Sequence, residues 1–188
     1  GGFATWPGDD TAEPWTTGFA AATLLEAREG GHPVESLEET LDWIETQVRD
    51  DGPGSSDLSP SARAYLWYVL ARAGRGDGDS IRTRLNSLPE RRPPHRREAS
   101  FVLKAALFEM GDRRYEEELR APHLDAPRRE ETGELSTEPP PDSTRRLRAL
   151  VAHIRRRLFG ADALPPELRR RVSRDLSAGG VAEGTLQS

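Results

Sequence analysis

The sequence predicts an all-α protein built of helix pairs, on three observations. Stretches without charge, at residues 15–25 and 64–71 and again over 99–108 apart from Lys104, alternate with segments that carry a single apolar stripe. Glycine stops at Gly30, Gly74 and Gly111 set a period of roughly forty residues, within the range of helix-pair repeats. No segment of any length alternates apolar and polar residues as a half-buried strand does. One set of helices is therefore expected to be sheltered on both sides and the other to face water. A closed α/α toroid, with an inner ring of apolar helices nested in an outer ring of amphipathic ones, produces this alternation, and so does an open α-solenoid.

The chain opens on a loop, residues 1–13, with paired glycines, Pro7-Gly8 and Asp9-Asp10-Thr11. Pro14 suits a first helical turn, where its missing N–H would be orphaned anyway. The helix it starts runs to Glu29, is stopped by Gly30-Gly31, and is apolar or small nearly all round, so burial on most sides is expected. Ser36 and Glu39 form a capping box ahead of an outer helix with the stripe Leu37, Leu41, Ile44 and Val48. Residues 51–56 are a loop; Ser59 and Pro60 then begin a third helix, ended by Gly74 and Gly76. A fourth starts at Asp79 with the stripe Ile81, Leu85 and Leu88. Pro89, Pro93 and Pro94 break the chain before a fifth helix, from about Arg96 to Met110. A short sixth, residues 113–120, offers only Tyr115 and Leu119 as apolar contacts. Residues 121–142 are proline-rich and charged and read as a long flexible excursion. Leu147, Leu150, Val151, Ile154 and Leu158 form the next stripe, among Arg145, Arg146, Arg148, Arg155, Arg156 and Arg157. Leu164, Leu168, Val172 and Leu176 form the last, closed by Gly179-Gly180.

A chain of 188 residues is long enough for one full core. Its net charge of −5 argues against a nucleic-acid partner. The absence of cysteine excludes disulfides, zinc thiolates and a cysteine nucleophile within these residues, but does not fix a compartment. No apolar run approaches the ~20 residues that a membrane span needs, so direct membrane insertion is not expected. The chain begins in mid-motif, and the expectation is a piece of a longer protein.

The phrase Gly1-Gly2-Phe3-x-x-Trp6, leading through Pro14-Trp15 into a smooth helix, resembles the thiol-ester-domain region of bacterial alpha-2-macroglobulins. The likeness continues in ARAYLWYVLARAG at residues 62–74 and LKAALFEMGD at 103–112. More faintly, GTLQS at 184–188 resembles the family's Thr-Gln loop. Residues 1 to about 120 carry most of it. The resemblance implies an α/α toroid, the fold shared with terpenoid cyclases and prenyltransferases. Residues 1–188 would form an incomplete ring, with best-matched helices at 1–120, the loop at 121–142 and terminal helices at 143–188. It implies a non-enzymatic role in a broad protease trap, no cofactor, and an extracytoplasmic, typically periplasmic, location. Target proteases and neighbouring domains of the same chain are the implied partners. In that family a protease cuts a bait segment elsewhere, the molecule rearranges, and an exposed thiol ester acylates the attacker. The thiol ester needs Cys-x-Glu-Gln, which is absent here. Its expected place is upstream of Gly1, the alternative being a branch of the family without it.

No residue is put forward as catalytic, cofactor-binding or metal-binding. Asp9-Asp10 does not match the Asp-x-Asp-Asp acid of terpene cyclases, and the cysteine of the prenyltransferase zinc site is missing. A glycosidase pair would set Asp10 against Glu13 or Asp57 across a cleft, a placement that a sequence does not supply. Asp9-Asp10 is read instead as an Asx-type turn capping the first helix. His32, His95, His123 and His153 share no metal-ligand spacing and are read as surface residues. The arginines of 145–157 and 169–174 are read as solvated helix faces, with acidic domains, lipid heads or nucleic acid as the sharper alternatives. Trp6, Trp15, Trp67 and Tyr68 resemble a ligand slot and are read as core. Isoprenoid cyclase or transferase chemistry and a protein-binding solenoid are the competing functions.

Overall fold

The computed structural model describes residues 1–6, 8, 11–49, 58–88, 93–121, 141–160, 164, 166 and 169–170. Among them every regular element is helical: α1 (Pro14–Glu29), α2 (Leu37–Val48), α3 (Pro60–Arg72), α4 (Gly78–Asn86), α5 (Pro93–Glu109), a single 3-10 turn (Arg113–Tyr115), α6 (Glu116–Arg120) and α7 (Pro141–Phe159). The all-α expectation holds. The chain divides into two compact units, Gly1–Glu116 and Glu117–Ser188.

In the first unit the leading helices of successive pairs stack in a row, α1 on α3 and α3 on α5. The second helices lie along that row, α2 against α1 and α3, α4 against α5. The middle position decides how α3 looks. It is buried at every residue from Ala64 to Ala71, and Leu66, Val69 and Leu70 are sealed completely. α5 is buried at Ala99, from Phe101 to Leu103 and from Ala105 to Phe108. The stripe Leu37, Leu41, Ile44 and Val48 of α2 is buried as its spacing requires, with Glu38, Glu39 and Asp42 outside.

α1 corrects the expectation made for it. Only Thr17, Gly18, Ala21, Ala22 and Leu25 are buried, and Phe19 stands 42% exposed. The helix lies at the end of the row, with α2 and α3 as its neighbours, so one flank has nothing to cover it among the described residues. Freedom from charge permitted burial there without requiring it.

The helix ends differ from their sequence signals in instructive ways. Ser59 caps α3 as expected, its Oγ accepting from the Ala62 N–H at 3.2 Å. Ser36 sits at the cap of α2, yet its hydroxyl makes no capping bond; the Thr40 hydroxyl instead donates to the Ser36 carbonyl at 2.7 Å. α4 begins one residue before Asp79, at Gly78, because Asp77 caps it and accepts from the Asp79 and Ser80 N–H groups. Pro93 and Pro94 do not interrupt a helix but open α5, where a first turn has no use for their missing donors. Gly74 and Gly111 adopt the left-handed conformation at φ 75° and 94°; after α1 that role falls to Gly31, at φ 83°, and not to Gly30. Residues 113–120 split into the 3-10 turn and α6, of which Leu119 is fully buried.

In the second unit Leu150, Val151 and Ile154 of α7 are buried, as the stripe predicts. The reading of the surrounding arginines as solvated fails at Arg155, whose side chain is completely enclosed. Its Nε donates to the Leu119 carbonyl at 2.8 Å and its Nη2 to the Ala121 carbonyl. A helix end leaves carbonyls without intrahelical partners, and a guanidinium is the side chain that reaches two of them with one plane of donors. Arg156 and His153 are exposed, as read. Asp9, Asp10, Asp57, His123, Leu168, Val172, Leu176, most of the loop 121–142 and the GTLQS phrase lie outside the described residues, as do the side chains of His95, Arg145, Arg146 and Arg148.

Candidate functional site

Three features of the first unit gather the chemistry-bearing residues. The first is the opening loop. The Phe3 N–H donates to Thr17 Oγ1 at 2.9 Å, the Thr17 hydroxyl donates back to the Phe3 carbonyl at 3.3 Å, and that carbonyl also accepts from the Glu13 N–H at 2.8 Å. Thr17 is completely buried, so these bonds form away from competing water. Glu13 caps α1, its Oε2 accepting from the Thr16 N–H at 2.6 Å. Asp9 and Asp10, read as the capping turn, lie outside the described residues. Gly2 lies so close to α2 that a Cβ there would come within 2.8 Å of the Trp43 indole, which accounts for a glycine at this place.

The second feature is an aromatic series along the α1–α3 seam. Trp15 stacks on Phe19 and on Tyr65, with ring centroids 5.6 and 5.3 Å apart, and Tyr65 continues to Tyr68 at 6.2 Å. The Tyr68 hydroxyl reaches Glu109 of α5 at 3.4 Å. Burial raises the Tyr65 phenol well above its ordinary range, and the nearby Arg72 only partly offsets that. Arg72 closes the seam: its side chain is 0% exposed and faces Glu26 and Glu29 of α1 at 3.6 and 3.5 Å. Trp67 and Tyr68 are core, as read from the sequence, but Trp6 is 71% exposed and leaves that group. Trp15 is half-buried.

The third feature is a cavity of about 160 Å³ between the first half of α3, the end of α4 and the middle of α5. Leu58, Leu88, Leu103 and the Trp67 ring wall it, and Arg63 and Arg84 supply its charge. Neither arginine was singled out in the sequence, since one helix or the other carries each and only the fold brings them together. His32 is exposed and far in sequence from any partner ligand, and among the described residues no group of three or more His, Cys, Asp or Glu side chains is arranged to hold a metal ion.

Together these features define an all-α protein of stacked helix pairs. Comparison with models of protein families, with curated proteins and with solved structures finds no match to this chain.

Proposed function

We propose that this chain is a segment of the thiol-ester domain of a bacterial alpha-2-macroglobulin-like protease trap, and that its role is that of a non-enzymatic scaffold. The observation that carries the reading is the opening phrase Gly1-Gly2-Phe3-x-x-Trp6 joined to Pro14-Trp15 and a charge-free helix. A row of helix pairs, in which the leading helices α3 and α5 are sheltered beside amphipathic partners, is the kind of unit that a closed α/α ring repeats. On this reading the helical body carries or shields a reactive bond contributed by residues upstream of Gly1. Its partners are target proteases and the neighbouring domains of the longer chain, in an extracytoplasmic compartment.

The test begins with the gene. A Cys-x-Glu-Gln string upstream of Gly1, followed by further helices, supports the proposal; a reading frame that starts near Gly1 overturns it. At the protein level, the parent chain incubated with trypsin should retain the protease in a covalent adduct on a denaturing gel. Pretreatment with a small primary amine, which aminolyses a thiol ester, should abolish the adduct.

A further inference from the structure

Met110 carries the only sulfur atom in the chain, since the sequence has one methionine and no cysteine. It follows the last residue of α5 and stands 41% exposed, so a small oxidant reaches its side chain. Its sulfur is nevertheless seated against Gly76, where an added Cβ would lie 2.7 Å from Sδ and 3.0 Å from the Ala71 Cα. The thioether thus rests on the corner that links α3 to α4. That corner holds two fastenings. Arg75 reaches Asp42, Glu38 and Glu45 of α2 at 2.7, 3.2 and 3.4 Å, and its N–H donates to the Leu70 carbonyl at 2.8 Å. Asp77 caps α4, and its carbonyl accepts from the Ile81 N–H at 3.0 Å. Gly76 lies between the two in the chain.

We propose that Met110 is a site of reversible oxidation by hydrogen peroxide, and that its sulfoxide releases this corner. A sulfur lone pair attacks one peroxide oxygen, and an S–O bond forms as the O–O bond breaks. The sulfur is oxidised by a pair of electrons and the peroxide is reduced. The departing hydroxide takes the proton left on the transferred oxygen and leaves as water. An apolar, polarisable thioether becomes a polar sulfoxide. The new oxygen has no room between Sδ and Gly76, and its need for hydrogen-bond donors draws it to water. The side chain turns outward, and Gly76 loses the contact that the sulfur made. A methionine on open surface would take up the same oxygen without consequence; the seat on the corner gives this one its effect. The site stands independently of the protease-trap reading.

Treatment of the chain with millimolar hydrogen peroxide, followed by peptide mass analysis and amide hydrogen exchange, tests the assignment. One added oxygen atom is expected on the peptide that holds Met110. Exchange at the Arg75 and Ile81 amides should quicken about threefold or more, while Leu66 and Val69 in the middle of α3 stay unchanged. Methionine sulfoxide reductases, one for each sulfoxide epimer, should reverse both changes. Met110→Leu, which keeps apolar bulk without sulfur, should exchange like the untreated wild type with or without peroxide. Met110→Gln, a polar side chain of similar length, should reproduce the faster exchange with no oxidant. No oxygen uptake at Met110, an oxidised Met110 with unchanged exchange at Arg75 and Ile81, or the same peroxide response in Met110→Leu would each overturn the inference.

Discussion

Between Trp15 and Leu25 α1 carries no charged side chain, and between Ala64 and Ala71 neither does α3; yet α3 is buried throughout that stretch while α1 is buried along one flank. The two differ in bulk and in neighbours. α3 carries Tyr65, Leu66, Trp67, Tyr68 and Leu70 and is packed by α1, α2 and α5. α1 offers mainly Thr, Gly and Ala, which allow a close approach to α3 but fill little space. The lack of charge on a helix records what it tolerates. The large side chains record how many neighbours it has.

Five substitutions sharpen this contrast, all read by urea denaturation of the first unit's cooperative transition. The largest effect is expected from Leu66→Ala in α3, about 2–5 kcal/mol, because the site is sealed and cannot collapse onto solvent. Leu24→Ala in the half-buried flank of α1 should cost less than half as much. Gly18→Val comes next, at about 1–3 kcal/mol, since even a Cβ at Gly18 would lie 2.9 Å from the Tyr65 ring. The caps rank third. Ser59→Ala and Glu13→Ala should each lose about 1 kcal/mol despite the unequal burial of the helices they start, because each removes one bond to an orphan N–H.

The smallest effect is electrostatic. Hydrogen bonding from Arg114, aided by its charge, holds the Asp112 carboxyl down at about 2. A depressed carboxylate contributes stability that is present above its unfolded value of about 3.9 and is lost as pH falls toward 2. Solvent screening limits the contribution to about 0–1 kcal/mol. Asp112→Asn should therefore reduce stability slightly at pH 6 and converge with the wild type near pH 2.

Much of the fold was legible in the chain because its signals are local. Pro14, Ser59 and the left-handed Gly74 and Gly111 mark helix ends by chemistry that acts within one turn. The failures come where a local signal is ambiguous or where a residue's role is set by distant chain. Ser36 has the residue type of a cap, but its local backbone, at ψ near 0°, is not the extended form in which a cap hydroxyl reaches forward. Pro93-Pro94 read as a break because a proline pair marks a boundary without saying on which side the helix lies. Arg155 occupies a register position in an arginine-rich run and looks like its neighbours; only the carbonyls of Leu119 and Ala121, more than thirty residues earlier, set it apart. Arg63 and Arg84 became a pair only once α3 and α4 were folded beside α5. Their sequence separation carries no trace of it.

Arg72 and Arg75 stand three residues apart and sit in unequal surroundings. Arg75 is 30% exposed and held by Asp42, Glu38 and Glu45 at 2.7, 3.2 and 3.4 Å, with a hydrogen bond from it to Asp42 as the main reason its charge is stabilised. Dissolved ions reach that cluster, and molar salt, with a Debye length of about 3 Å, weakens it. The guanidinium of Arg72 is shut in, and ions reach its pairs only from the side of Glu26 and Glu29, which are 47% and 41% exposed. Brine therefore slackens the hold of α2 on the end of α3 more than it loosens the α1–α3 seam, so that this short piece of chain joins two fastenings of unequal sensitivity to their medium.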